Sequence, residues 1–212
     1  MAGNSLSQAS MKSALVKFSK ELQKNKIEHF IFFGTLLGLI RDGRPILGDD
    51  DVDFYVNKNY YNKFKDLLSS LGFNLDYSSV PNHTKHFIQV NGHINNIQIR
   101  ADFYFYDSNT DENFLLEPWN FLAKPNNKFY MLKLPKPLVF PLKVKSFEGT
   151  EVFIPQYPEI VCEFLYGKNW SIPKKKETDY RVAMIGGRPL IIQNKFNLGK
   201  IFSNLVTKFT DQ

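Results

Sequence analysis

Apolar runs of strand length alternate with amphipathic helical segments along this 212-residue sequence. That alternation predicts an α/β or α+β domain in which helices pack on a sheet. Three observations carry the expectation. Met11, Leu15, Phe18 and Leu22 recur at helical spacing with Lys12, Lys17, Lys20 and Glu21 between them, the pattern of an amphipathic helix over 6–24. "IEHFIFF" (27–33) is a near-continuous apolar run that reads as a buried strand. From 97 to 106, Ile97, Ile99, Ala101, Phe103 and Phe105 alternate with Gln98, Arg100, Asp102, Tyr104 and Tyr106, the two-residue period of a strand.

The remaining elements follow in order. "GTLLGLI" (34–40) reads as a turn into a short helix, Asp50–Val56 as a second strand, and Asn59–Leu71 as a helix stopped by Gly72. Within "HFIQVNGHINNIQIRADFYFY" (86–106), Asn91-Gly92 is a strong hairpin dipeptide, because both central positions of such a turn need positive φ. The proline-punctuated "KLPKPLVFPLK" (133–143) is the best candidate boundary. The expected organisation is a domain over 1–173, with its core at 27–132 and a further block at 140–173. A C-terminal helical or loop extension over 174–212 follows it.

Composition narrows the class. With 43% apolar and 15% aromatic residues the chain is globular. Cys162 is the only cysteine, which excludes an internal disulfide framework and a cysteine-based zinc site and makes a reducing, cytoplasmic compartment the expectation. The N-terminus has no signal-peptide core, and the most apolar stretch, 30–40, is far short of the ~20 residues a bilayer needs. A net charge of +6 admits an anionic partner without choosing among nucleotide, phospholipid and nucleic acid.

"ILGDDDVDFYV" (46–56) holds four aspartates within five positions. On a strand, Asp49, Asp51 and Asp53 share one face while Val52 and Phe54 point inward. Carboxylates so stacked repel unless a hard cation lies among them, and an all-oxygen set suits Mg²⁺, Mn²⁺ or Ca²⁺. The plain alternative is a solvated acidic turn. An EF-hand is excluded, since Phe54 stands at the glycine position and Tyr60 at that of the bidentate glutamate. Upstream, Gly34-Thr35 ends a strand and opens a helix, whose first N–H groups form an anion site. Gly-Thr, a short helix and then Asp-x-Asp on the next strand is the pattern of the nucleotidyltransferase superfamily. Asp102, on the polar face of its strand, is the candidate third carboxylate; its plain alternative is a salt bridge to a neighbour such as Arg100.

The stretch "FFGTLLGLIRDGRPILGDDDVDFYV" (32–56) resembles the signature of the LicD/fukutin-like phosphotransferase family. "FPLKVKSFEGTEVFIPQYPEIVCEFLYGKNWSIP" (140–173) resembles that family's downstream block. Gly48 departs from the tryptophan often found before the aspartates, and the family's histidine-bearing tail is not evident after Tyr180-Arg181. The resemblance implies a nucleotidyltransferase-like mixed sheet. It also implies transfer of choline, glycerol or ribitol phosphate from a CDP-activated donor to a hydroxyl of an oligo- or polysaccharide, with release of CMP. By that analogy Asp51 and Asp53 bind Mg²⁺ or Mn²⁺, with Asp49 a weaker candidate. Asp102 joins the metal or takes the acceptor proton, Gly34 and Thr35 hold phosphate oxygens, and Arg41 offsets charge on the transferred or leaving group. Lys143, and Lys145 beside it, could reach phosphate, although a solvated lysine is the commoner case. Glu148 matches the family block without a role that the sequence supplies.

Two other classes stay open: an inactive module that binds a glycan or nucleotide, and a nucleotidyltransferase acting on nucleic acid. The second lacks a basic helix or an aromatic RNA-binding signature, so no nucleic acid is expected. His83, His86 and His93 fit no standard zinc spacing. The basic run at 173–181 reads first as a solvated loop. Leu198, Ile201, Phe202, Leu205, Val206 and Phe209 recur at helical spacing. Docking of that helix on the core competes with peripheral membrane contact through 195–209, at the inner face of the membrane, which would suit a lipid-linked acceptor.

Overall fold

A computed structural model describes residues 7–75, 86–117 and 132–173. The extension at 174–212 and the amphipathic helix expected in it, the basic run beyond Pro173, and His83 lie outside the described residues.

The fold is a mixed α/β one. Helix α1 (Gln8–Lys24) opens it, and the Ser7 hydroxyl accepts the Ser10 N–H at 3.1 Å as an N-cap. Strand β1 (His29–Ile31) leads into α2 (Phe33–Arg41) and then β2 (Val52–Asn57). A 3₁₀ turn (Lys58–Tyr60) and α3 (Tyr61–Ser70) follow, then β3 (Asn74–Leu75), β4 (Phe87–Ile94) and β5 (Ile97–Tyr106). The central sheet has the order β1-β2-β5-β4-β3. Only β2 and β5 run parallel; the other neighbours are antiparallel. Strands β6 (Phe114–Glu117) and β7 (Leu132–Pro135) form one small ladder. After the helical turn α4 (Lys136–Val139), β8 (Lys143–Phe147) and β9 (Thr150–Ile154) form another, and α5 (Pro158–Tyr166) ends the described chain.

Every residue of β2 is buried, so both faces of the sheet centre are covered. On one face Phe54 and Phe103 stack 5.2 Å apart, with Phe18 of α1 5.1 Å and Phe64 of α3 4.6 Å from the Phe103 ring. On the other, Tyr55 packs on Phe32 at 4.0 Å and Tyr104 on Phe33 at 5.0 Å. The six phenylalanine and two tyrosine rings on these two faces place the aromatic excess in the core, since each ring buries a large apolar area.

The hairpin expectation at Asn91-Gly92 is corrected. Gly92 lies inside β4 opposite Ile99, and the two-residue turn is Asn95-Asn96, at φ 49° and 65°. Asparagine tolerates the left-handed region, so Asn-Asn serves as the turn. Gly92 instead leaves room for Phe73, whose ring carbons lie 2.8 and 2.9 Å from where a Cβ would sit. The 133–143 segment is not a lapse in structure. It spans β7, α4 and the start of β8, buries Leu134, Leu138 and Val139, and accepts the N–H groups of Gln156 and Tyr157 at Val139 and Leu138. Glu148-Gly149, the family "EG", has φ 48° and 70° and is the two-residue turn of the β8–β9 hairpin. The Glu148 carboxylate also ion-pairs with Lys12 of α1.

Candidate metal and phosphate site

The turn between β1 and α2 fixes the first carboxylate. Leu36 N–H closes the first helical bond to Phe32 O at 3.0 Å, while Phe33 enters the helix at φ 41°, a left-handed conformation that is costly for a bulky residue. Thr35 then meets Asp53 twice. Its hydroxyl accepts the Asp53 N–H at 2.7 Å, and its own N–H donates to Asp53 Oδ2 at 3.3 Å. The Asp53 carboxylate thus sits at the N-terminal end of α2, where unpaired N–H groups and the helix dipole favour negative charge. Thr35, which the sequence assigns to phosphate, here orients a carboxylate.

Gly34 permits the approach of a second one. A Cβ on it would lie 2.9 Å from Asp49 Oδ2 and 3.4 Å from Asp53 Oδ2. The loop bearing Asp49 is held against α2 at Gly38, where a Cβ would come within 2.7 Å of Arg44 O and 2.8 Å of Ile46 N. Strand β2 begins at Val52, so Asp49, Asp50 and Asp51 lie in the loop before it rather than on the strand. Their carboxylates, each half-buried, offer oxygens within 4.8 Å of one another, a set that could hold a metal ion.

Parallel pairing adds Asp102. The β2–β5 register sets Asp53 directly beside Asp102, on strands ~4.8 Å apart. Asp102 Oδ1 accepts Gln89 Nε2 at 2.8 Å from β4, and Tyr104 also donates to this carboxylate. Arg100 does not take Asp102 as its partner. Its Nη1 pairs with Asp50 Oδ2 at 3.1 Å, and its Nε donates to Asn91 Oδ1 at 2.8 Å.

Burial and crowding together hold these groups toward the protonated form. The Asp102 pKa is pushed up to about 7, by burial first; the Gln89 hydrogen bond and Arg100 pull the other way. Asp53 and Asp51 are raised well above the ordinary range, again by burial first and then by the neighbouring aspartates. Loss of water therefore outweighs like-charge repulsion as the main cause. Tyr166, partly buried at the end of α5, lies near the same charges: its phenol is raised by loss of water first, then by Asp53, Cys162 and Asp49. In sequence it showed only as the tyrosine of the "YG" pair.

The other expected residues stand elsewhere. Arg41 is engaged by its neighbour, Nε to Asp42 Oδ1 at 2.9 Å and Nη2 to Asp42 Oδ2 at 2.7 Å. Lys143 extends over the Tyr157 ring, 5.6 Å from its centroid. His86 and His93 bracket β4 seven residues apart, or about 23 Å of extended chain, too far to share an ion. Among the described residues no helix is long and apolar enough to cross a membrane.

Comparison with known families gives the wider setting. The family model described as LicD/FKTN/FKRP, nucleotidyltransferase domain, matches residues 26–157. The chain belongs to this family. The LicD match contains Gly34, Thr35, the aspartates at 49–53 and Asp102, and it stops at Tyr157, just before α5 and Tyr166. No curated protein matches the chain at the sequence level. Among solved structures, the antigenic nucleotidyltransferase-like protein of Paracoccidioides brasiliensis is 16% identical with a TM-score of 0.48, covering 98% of this chain and 92% of that one. The antibiotic-resistance factor ANT(2'')-Ia is 11% identical with a TM-score of 0.49, covering 81% and 79%. The lincosamide adenylyltransferase LnuA, solved with lincomycin, is 10% identical with a TM-score of 0.48, covering 72% and 82%. Likeness at these values carries no argument about this LicD-family chain.

Proposed function

We propose that this LicD-family domain transfers an alcohol phosphate, of the choline, glycerol or ribitol class, from a CDP-activated donor to a glycan hydroxyl. The observation that carries the reading is the register of Asp53 beside Asp102, with the Asp49–Asp51 loop closing over Gly34. Buried, mutually repelling carboxylates fit a hard divalent ion. Asp49, Asp50 and Asp51 bring oxygens within 4.8 Å of one another, and Asp50 is taken up by Arg100. We assign Asp51, Asp53 and Asp102 as the residues to hold the ion, with Asp49 as a further ligand. Bound there, Mg²⁺ or Mn²⁺ would offset charge on the phosphate oxygens.

The chain's own residues do the rest. Gln89 and Tyr104 fix the Asp102 carboxylate, and Thr35 fixes that of Asp53. Gly34, with no side chain of its own, leaves the Asp49 carboxylate room beside the start of α2. The acceptor hydroxyl oxygen bonds to the phosphorus that carries the alcohol, the bond from that phosphorus to the CMP oxygen breaks, and the hydroxyl proton passes to a base. Asp102 is proposed to take that proton where it does not join the metal. Arg41, now paired with Asp42, and Lys143 are proposed as secondary phosphate contacts.

Incubation with CDP-choline, CDP-glycerol, CDP-ribitol and labelled CTP in Mg²⁺, with glycan and RNA acceptors, tests the reading. Glycan-dependent CMP release from one CDP-alcohol supports it. Nucleotide addition to RNA, or binding of every donor without turnover, overturns it.

A further inference from the structure

A recess opens at the end of β2 away from Asp53. It is an open pocket of about 540 Å³ whose walls include Glu28, Asn57, Tyr60, Ser108, Asn109 and Phe140. Asn57 lies four residues beyond Asp53 on the same strand, about 13 Å along it, so the pocket is separate from the carboxylate site.

Its polar groups are pre-set. Glu28 Oε1 accepts from Tyr106 Oη at 2.5 Å and from Asn57 Nδ2 at 2.8 Å. Asn57 is 6% exposed; its Oδ1 accepts the Asn59 N–H at 3.0 Å, and its Nδ2 lies 3.3 Å from Ser108 Oγ. The carboxylate and the buried amide are thus held in place from behind, which reduces the ordering cost of binding a ligand. The charge balance then decides the class of ligand. Among the described residues, Lys136 is the one cation of the wall and Glu28 its one anion. A phosphate would meet a fixed carboxylate with a single compensating charge, whereas neutral hydroxyls would find the amides of Asn59 and Asn109 and the Ser108 hydroxyl, which offer both donors and acceptors. Tyr60 and Phe140 add partly buried rings, the kind of apolar surface against which the C–H face of a pyranose packs.

We propose that this pocket is a saccharide subsite, holding a sugar unit of the acceptor a few residues away from the reacting hydroxyl. The inference rests on the glycan-acceptor reading above, and its test reads binding without turnover. The full chain, with and without Mg²⁺, is titrated with neutral hexose and N-acetylhexosamine oligomers, from disaccharide to hexasaccharide, at millimolar concentration. The side-chain amide resonances of Asn57, Asn59 and Asn109 are followed by NMR. At least one oligomer should shift them. Tyr60→Ala and Asn109→Ala should each weaken that binding about tenfold or more, while Asp53→Asn should leave it unchanged. If no oligomer shifts these amides, or if binding survives both pocket variants and is lost in Asp53→Asn, the subsite is overturned. The two readings fail separately. Amide shifts without CMP release retain the subsite and sink the transferase, and glycan-dependent CMP release without amide shifts does the reverse.

Discussion

The two faces of the β2–β5 pair are equally buried and differently used. Phe54 and Phe103 present stacked rings to α1 and α3. One residue earlier on each strand, Asp53 and Asp102 present carboxylates to the opposite side. The first face adds stability through packing. The second packs Tyr55 and Tyr104 as well, but it also takes carboxylates out of water, which costs stability. A face that costs stability yet is built from several elements at once is where the proposed site lies, and four experiments probe the difference between the faces.

The largest effect is expected at Asp53. Asp53→Asn should lower turnover about 10³-fold, the scale of losing a main electrostatic stabiliser, while the metal-free protein melts no lower than wild type. Unchanged turnover would end the contrast. Next comes Phe103→Ala, which removes a fully buried ring and should cost about 3–5 kcal/mol in chemical denaturation. Turnover per folded molecule should be kept, so a lost chemical step at full stability would reverse the roles of the faces.

Gly38→Ala tests how firmly the acidic loop is held. The added methyl meets backbone atoms of Arg44 and Ile46 that cannot rotate away. A cost of about 1–3 kcal/mol is expected, together with weaker metal affinity in calorimetry, because the loop bearing Asp49–Asp51 must shift. Wild-type values on both measures would show the loop to be adaptable.

The smallest effect is one of pH. Asp102 binds its proton more tightly folded, at a pKa of about 7, than unfolded, near 3.8. Its favourable contribution is therefore complete below about pH 4 and is lost as pH rises through 7. Asp51 and Asp53 shift in the same direction. In EDTA the melting temperature should fall between pH 5 and pH 8, and Mg²⁺ should raise it by a few degrees more at pH 8 than at pH 5. Equal Mg²⁺ shifts at both values would place the ion elsewhere.

Much of this was legible in the sequence because it is local. The helical period of α1, the Gly34-Thr35 turn, the acidic run and the alternation of β5 each depend on neighbouring residues. What escaped depends on distant ones. Nothing near Gly92 announces that Phe73 packs over it, so Asn91-Gly92 looked like the turn and Asn95-Asn96 did not. The Asp50–Arg100 pair and the hold of Thr35 on Asp53 join residues far apart in the chain. Glu148-Gly149 is local too, but a glutamate at positive φ is an uncommon turn residue, so the pair reads in sequence only as part of the family block.

Parallel pairing of β2 with β5 also has a kinetic consequence. A parallel neighbour cannot be reached by a tight turn, and roughly fifty residues separate Asp53 from Asp102. The β4–β5 hairpin can close early through its two-residue turn, whereas β2 must wait for a long loop to pay its closure entropy. The carboxylates thus meet only when β2 docks beside an existing hairpin, and their repulsion enters at that late step. Neutralising Asp53 should accordingly speed folding only to the extent that this docking is already made in the transition state.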